Sequence, residues 1–381
     1  MQRRFRLAVP LSALYDPAMT EPMEIFLVAP PGLEPTLAEE VRALGYVAEV
    51  TPGGVSVQGG WPDVWRLNLE CRGAGRVLAR IATFRAFHLA QLDKRARKVD
   101  WAAVLRPDVP VRVESTTRKS KIYHAGAATE RIARAITEEL GAPVADDAPV
   151  ALKVRIDDNN VQVSVDTSGE GLHKRGHKEW VGKAPMRETM AALLLRMAGF
   201  DGQMPVVDPM CGSGTFVLEA AGIAASQQPG RDRSFAFEQL ASFEPQAVAA
   251  LGRAGGTTPP QFHGFDRDAG AVRGATANAA RAGLAAATRF TAQPVSDLTP
   301  PVGPPGLVIC NPPYGARIGN RKPLFALYGS LGQRLSEHFA GWRVAIVTSD
   351  AGLARATGLP LTESVPIAHG GLKVRLHTTQ L

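Results

Sequence analysis

Met204 to Val207, then Asp208-Pro209-Met210-Cys211-Gly212-Ser213-Gly214-Thr215, then the helical stretch Val217 to Ala225 leave this chain few choices of fold. A short apolar strand, a glycine-rich turn and a helix, in that order, predict a parallel α/β sheet with a ligand at the strand's carboxyl end. Gly212 and Gly214 let backbone approach a ligand closely, and Asp208 puts a carboxylate at the strand tip. The third glycine of the dinucleotide fingerprint is absent. The pattern repeats around this unit. Met186 to Ala198 has apolar helix periodicity, Phe262 to Phe265 is a second strand ending in Asp266-Arg267, and Ala269 to Ala282 is its helix. Phe290 to Val295 is a third strand ending near Asp297, Leu307 to Cys310 a fourth, Leu324 to Phe339 a helix and Arg343 to Thr348 a fifth strand. Thr362 to Ile367 with Lys373 to Thr378 form a closing hairpin. The expected architecture is a doubly wound, Rossmann-like α/β sheet with an antiparallel last strand.

The strand tips narrow the ligand. An acid before a two-glycine turn suits a cofactor bearing an amino acid and a cation better than a pyrophosphate, and S-adenosylmethionine has both. Asp266 can accept two hydrogen bonds from ribose hydroxyls. It lies farther downstream than the roughly 20 residues of the dinucleotide pattern, which an insertion from Ser226 to Pro260, rich in Gln, Pro and Gly, explains. Asp297 is a candidate adenine contact.

Asn311-Pro312-Pro313-Tyr314 follows the fourth strand directly. Two prolines cannot continue a parallel ladder, and each pushes the residue before it to an extended conformation. The Asn311 side chain and nearby carbonyls then lie beside the Tyr314 ring, a combination that suits a planar base with an exocyclic amine. The same residues also read as a Pro-stiffened strand end with a buried tyrosine. Gly319 to Lys322 follows as a polar loop.

The first half of the 381-residue chain differs in character. Glu24 to Ala29, Val55 to Gln58, Arg76 to Phe84 and Val111 to Ser115 read as strands, and Glu34 to Leu44, Trp61 to Leu69 and Ala125 to Leu140 as helices. Ala151 to Ile156 and Asn160 to Asp166 form a hairpin across Asp157-Asp158-Asn159. Net charge is +7 and the pI is about 9.5, but the excess is local. Arg66 to Lys121 holds 14 Lys and Arg against 5 Asp and Glu, while Met23 to Trp65 holds 1 against 6. A polyanion surface and a solvated basic face both fit that segment. Arg76 and Arg80 lie on a strand, and the loop carrying Arg118, Lys119 and Lys121 enters a helix, an arrangement that can bind phosphate. Residues 169–185 form a basic connector with Lys174 and Arg175, solvated or RNA-facing. His173 and His177 stand four apart without a third ligand, and Cys71, Cys211 and Cys310 are scattered, so no metal site or disulfide framework is indicated. No apolar run reaches the roughly 18 residues of a membrane span, and Met1 to Glu21 lacks the core of a signal peptide. The expectation is a cytoplasmic chain with an extension over 1–22, an RNA-binding region over 23–168, the connector over 169–185 and a catalytic domain over 186–381.

With Asp208 to Phe216, Asp266 and Asn311 to Tyr314 in order, the chain from about Gly169 resembles a class I S-adenosylmethionine-dependent methyltransferase. Met23 to about Ser168 resembles a THUMP RNA-binding domain with its preceding ferredoxin-like region, and Gly171-Leu172-His173-Lys174-Arg175-Gly176 matches the linker. The whole is similar to the bacterial 23S ribosomal RNA guanine-N2 methyltransferase family. The resemblance implies that Asp208 and the turn through Thr215 hold the methionine part, Asp266 the ribose, Asp297 the adenine end, and Asn311 to Tyr314 the target base. It also implies that Pro185, Glu188 and Thr189, in the segment Ala184-Pro185-Met186-Arg187-Glu188-Thr189, help shape the cofactor pocket. Two-activity members carry a second methyltransferase domain downstream, so guanine-N2 chemistry alone is expected of this chain.

Several rivals share these features. N6-adenine methylation uses the same kind of amine, and related THUMP proteins act on transfer RNA guanine. An RNA-binding assembly factor would need only the basic half, and a nicotinamide oxidoreductase is weakened by the missing glycine. Cys310 precedes Asn311 and does not follow a proline in a nucleophile motif, which disfavours covalent cytosine-C5 chemistry.

Overall fold

A computed structural model describes residues 22–182, 186–259, 261–314 and 322–381. The extension over 1–21, Ala184-Pro185 and all but the last residue of the Gly319 to Lys322 loop lie outside the described residues. The first half runs β1 (Met23–Val28), α1 (Glu34–Ala43), β2 (Glu49–Thr51), β3 (Gly54–Gly59), α2 (Trp61–Glu70), β4 (Val77–Arg85), α3 (Leu89–Ala96), β5 (Val111–Arg118), α4 (Ala125–Leu140), β6 (Val150–Asp157) and β7 (Asn160–Asp166). These strands make one seven-stranded sheet in the order β2-β3-β1-β4-β7-β6-β5. Alternation in β6 is clear: Val150, Leu152, Val154 and Ile156 are buried, while Lys153, Arg155 and Asp157 face the other way. The β6–β7 turn uses Asp158 and Asn159, both at positive φ, as a tight hairpin requires.

The second half runs α5 (Glu188–Met197), β8 (Val206–Asp208), α6 (Thr215–Ala224), α7 (Pro245–Leu251), β9 (Phe262–Asp266), α8 (Ala269–Arg281), β10 (Thr288–Ala292), β11 (Leu307–Cys310), α9 (Lys322–His338), β12 (Arg343–Thr348), α10 (Ala351–Ala356), β13 (Thr362–Glu363), β14 (Ile367–His369) and β15 (Leu372–Gln380). Their sheet has the order β10-β9-β8-β11-β12-β15-β13, with β14 paired to β15. β8 to β12 run parallel and β15 antiparallel to β12, so the doubly wound sheet with an antiparallel last strand is present. β11 is buried throughout, as a central parallel strand covered on both faces must be.

Three local expectations change. α3 was hidden because Gln91, Asp93, Lys94 and Arg95 mask its periodicity, only Leu92 and Ala96 being buried. The insertion Ser226 to Pro260 carries a helix that was not anticipated, Pro245 at the first helical position starting α7. The third strand stops at Ala292, ahead of Pro294, so Asp297 sits on a 3-10 turn (Val295–Asp297) beyond it.

The halves meet through a buried ionic cluster. Glu219 of α6 accepts Arg72 Nη1 at 3.0 Å and Arg175 Nε at 3.2 Å. Arg175 also donates to the Leu172 carbonyl at 2.6 Å and the Arg72 carbonyl at 2.7 Å. Burial opposes ionisation of Glu219, but Arg175 and Arg72 outweigh it and hold its carboxyl below the usual range. Gly73 fits beside this cluster because a Cβ there would lie 2.4 Å from Leu193 of α5. No described helix is long and apolar enough to cross a membrane.

Candidate active site

β9, β8 and β11 are adjacent and parallel, so their carboxyl ends bring Asp266, Asp208 and Asn311 to one rim of the sheet. The chain proceeds from β8 to β9 and β10 on one side, and β11 and β12 lie on the other. The β8–β11 boundary is therefore the switch point at which open α/β sheets bind ligands.

Asp208 is 2% exposed, and its Oδ1 accepts the Met210 N–H at 3.1 Å. Burial pushes its carboxyl up to about 8; the Met210 bond opposes the shift and Asp266 adds to it. A cation brought beside it would restore the carboxylate. Asp266 is tied into the turn, its Oδ2 accepting the Gly212 N–H at 3.0 Å and its Oδ1 the Asp268 N–H at 2.9 Å. Each oxygen keeps a second lone pair for a ligand. Arg267 is exposed.

The two glycines have different roles. Gly212, at φ +51°, would place a Cβ with nothing within 4 Å, so the turn opens onto free space. Gly214, at φ +83°, caps α6, and a Cβ would lie 3.1 Å from the Phe290 ring and 3.2 Å from Ala275. One leaves room for a ligand; the other lets β10 and α8 close on the turn. Pro209, Cys211, Ser213 and Thr215 are buried, and Met210 is half-buried. Burial, then the nearby Asp208, pushes the Cys211 and Cys310 thiols up, so neither is a poised nucleophile.

Two residues that sequence reasoning left out of the site hold it together. Lys178 gives its three ammonium protons three acceptors: Glu188 Oε1 at 2.9 Å, Thr215 Oγ1 at 2.8 Å and the Met186 carbonyl at 3.1 Å. Burial raises the Glu188 carboxyl, and Lys178 opposes that shift. Asn278 of α8 is fully buried and donates to the Trp180 carbonyl at 3.1 Å and the Ser213 carbonyl at 3.2 Å. A signal for it existed, because Asn278 interrupts the small-residue face Ala271, Gly274, Ala275 and Ala279. Gly274 is small because the Trp180 indole would lie 2.3 Å from a Cβ there. Thr189 is buried beside Glu188 at the start of α5, and Pro185 lies outside the described residues.

Asn311 continues β11, and its Oδ1 is buried without a hydrogen-bond partner among the described residues. A bare carboxamide oxygen away from water is costly unless something donates to it. Pro312 is buried, Pro313 exposed, and the half-buried Tyr314 packs against both apolar cores. Burial pushes the Tyr314 phenol up to about 12. Asp297 is exposed and accepts the Ser296 hydroxyl at 3.0 Å.

Residues 175–377 match the RMKL-like methyltransferase domain, and residues 24–78 match the RlmL ferredoxin-like domain. The chain belongs to the RMKL-like methyltransferase family. It is 36% identical over 94% of its length to a Ribosomal RNA large subunit methyltransferase K/L of Syntrophotalea carbinolica, covering 53% of that protein. It is 31% identical over 91% of its length to a Synechocystis sp. protein provisionally named RNA methyltransferase slr0064, covering 93% of it. A provisionally named methyltransferase solved in complex with SAH superposes with a TM-score of 0.85 at 27% identity, over 95% of this chain and 99% of that one. The chain spans about half the length of the family's K/L relatives.

The basic candidates separate sharply. Arg175 is 3% exposed and spent on Glu219, which corrects the reading of a solvated or RNA-facing connector at that residue. Leu172 and His177 are buried too, and burial holds His177, like His173, down to about 4. Arg76 is paired with the buried Asp166, and Arg80 donates to Glu24 at 3.3 Å, so both are committed within the sheet. Lys174 is exposed but paired with Glu170 at 2.6 Å. Arg118, Lys119 and Lys121 remain without a carboxylate partner among the described residues.

Proposed function

We propose that this chain transfers a methyl group from S-adenosylmethionine to the exocyclic N2 of a guanosine in 23S ribosomal RNA. The observation that carries the reading is the orphaned Asn311 Oδ1 at the end of β11, one strand from Asp208. The names of the K/L relatives and the SAH held by the solved relative support the substrate and the cofactor. The space before Gly212 and the Asp208 carboxyl fit a small cationic ligand. When bound, the cofactor supplies an electrophilic methyl on a sulfonium.

The chain's own residues then divide the work. Asp208 faces the ligand's ammonium, the Gly212 to Gly214 turn admits its backbone-sized end, Asp266 holds the ribose, and Asp297 the adenine end, with Glu188 and Thr189 behind them. On the substrate side, the guanine N2 lone pair is delocalised into the ring. Asn311 Oδ1 and the Pro312 carbonyl accept the amine hydrogens and turn that lone pair towards the methyl, while Tyr314 stacks on a base taken out of its helix. Methyl transfer to N2 would leave the cofactor's sulfur neutral with the S–C bonding pair, and an N2 proton would pass to water. No strong base is required.

In this reading residues 23–168 hold the RNA, 169–185 connect and 186–381 transfer the methyl, and ribosomal RNA as substrate implies the cytoplasm. The test is methylation of ribosomal RNA lacking the modification, with transfer RNA in a parallel reaction, followed by nucleoside analysis. N2-methylguanosine in the large-subunit RNA is expected. N6-methyladenosine, or product in transfer RNA alone, would overturn the assignment.

A further inference from the structure

The seven-stranded sheet ends in a surface that the methyl-transfer site does not use. There the β4–α3 connector, the β5–α4 loop and the β6–β7 turn converge. Ala86 N–H donates to the Asn159 carbonyl at 2.9 Å, and Lys121 N–H to Asn159 Oδ1 at 2.9 Å. Lys121 Nζ lies 5.5 Å from the Phe87 ring centroid, and the Arg85 guanidinium 5.6 Å from it. A groove of about 880 Å³ opens beside Phe87, between β4 and α3. Ile81 and Phe84 form its apolar side, and Lys94, Arg95 and Lys98 face the single carboxylate Asp100.

Two facts distinguish this end. Among the described residues of the first half, ten of the 19 Lys and Arg side chains have a carboxylate within 4.0 Å, as Arg80, Arg97, Arg112 and Lys153 do. Of the nine without one, seven lie here, Arg85 at the end of β4, Lys94 and Arg95 on α3, Lys98 just beyond it, and Arg118, Lys119 and Lys121 at the β5–α4 loop, while Arg42 and Arg131 lie elsewhere. Exposed aromatic rings gather here as well, Phe87 at 39% and Tyr123 at 84%. Unpaired cations beside exposed rings suit a strand whose phosphates and unstacked bases are both available, whereas a duplex offers its phosphates and hides its base faces.

We propose that a single-stranded stretch of RNA docks here, its backbone along the α3 groove and its bases against Phe87 and Tyr123. The proposal rests on the RNA reading above and names the surface that holds the substrate. Fluorescence anisotropy of the full chain with a labelled single-stranded RNA, and with the same sequence as a duplex, tests it across a salt series. Lys94→Ala with Lys98→Ala should flatten the log–log salt slope by about 1.4, two single-strand phosphate contacts at about 0.7 each. Phe87→Ala should leave the slope alone and weaken binding about 5- to 150-fold, one lost stacking contact. Arg106→Ala, an exposed cation paired with Asp108, is the control and should change neither. If the wild type binds RNA and these variants bind with its affinity and slope, the groove assignment falls while the RNA reading stands. Tighter binding of the duplex also overturns it, and a wild type that binds no RNA overturns both.

Discussion

The two sheets use charge in opposite ways. At the eight-stranded sheet three titratable groups are buried or half-buried and individually satisfied: Lys178 has three acceptors, Glu219 two guanidinium partners, and Asp266 two backbone amides. At the end of the seven-stranded sheet the cations are exposed and unpaired. Buried charges are screened little by salt, and their geometry is fixed by the groups around them. Exposed ones act together as a field. The first arrangement suits one small ligand in one orientation; the second suits a polymer in many registers. Substitution should therefore affect chemistry or stability in one region and salt-dependent affinity in the other.

The largest effect is expected at Asn311. Asn311→Ala should slow single-turnover methylation about 100- to 1000-fold, or about 3 to 4 kcal/mol, the scale of losing one oriented hydrogen-bonding group at a reacting atom. Cofactor and RNA affinity should stay near wild type. Tyr314→Phe should be milder, because stacking survives without the hydroxyl. A wild-type rate for Asn311→Ala would return this segment to a stiff strand end.

Next is the junction between the halves. Arg175→Ala leaves Glu219 buried with Arg72 alone, and removing one partner of a buried pair costs about 3 kcal/mol or more. A large drop in the urea midpoint is expected, while Lys94→Ala should stay within about 0.5 kcal/mol of wild type. Equal midpoints for the two variants would erase the contrast drawn here.

These residues also show where sequence could be read and where it could not. The strand tips were legible because strand, turn and helix fix spacing: Asp208, Gly212, Gly214, Asp266 and Asn311 all fall at carboxyl ends of adjacent strands. Arg175 was misread because a cation in a Gly, His and Lys-rich segment looks solvated, and its partner Glu219 lies 44 residues away. Asn278 escaped for the same reason, its partner Trp180 lying 98 residues away, and Lys178 because a lysine in that basic segment also looks solvated. α3 escaped because its buried face consists of Leu92 and Ala96 alone.

Asp266→Ala should weaken S-adenosylmethionine binding, each lost charge-assisted bond costing about 1.5 to 3 kcal/mol at most. RNA affinity should be nearly kept. Because Asp266 also holds the Gly212 and Asp268 amides, part of the loss comes through the turn, and Asp266→Asn should recover some of it. Titration calorimetry giving unchanged cofactor affinity for Asp266→Ala would remove it from the site.

The smallest expected effect is a pH dependence of at most about tenfold per pH unit in cofactor affinity, centred on Asp208. Its folded carboxyl lies near 8, raised by burial and then by Asp266, and a cationic ligand needs it ionised. Binding should therefore tighten as pH rises towards 8, release up to one proton, and level off above it. The free protein should behave in the opposite sense. Between the ordinary carboxylate range and 8 the folded state holds more protons at Asp208 than the unfolded state does, so stability falls as pH rises through that window. His177 and His173, held near 4 by burial, act the other way below their ordinary value of 6.5: the unfolded state takes up the protons there, and stability rises with pH. His263, His369 and His377 are lowered by burial as well, so the histidines offset Asp208 until their unfolded-state protons are lost about one pH unit above 6.5, and Asp208 dominates towards 8. Calorimetry in buffers of different ionisation enthalpy reads the proton release, and urea midpoints at about pH 7.5 and above read the stability. Asp208→Asn should abolish both slopes; a variant that kept them would assign the titration to another group and leave Asp208 a neutral strand end.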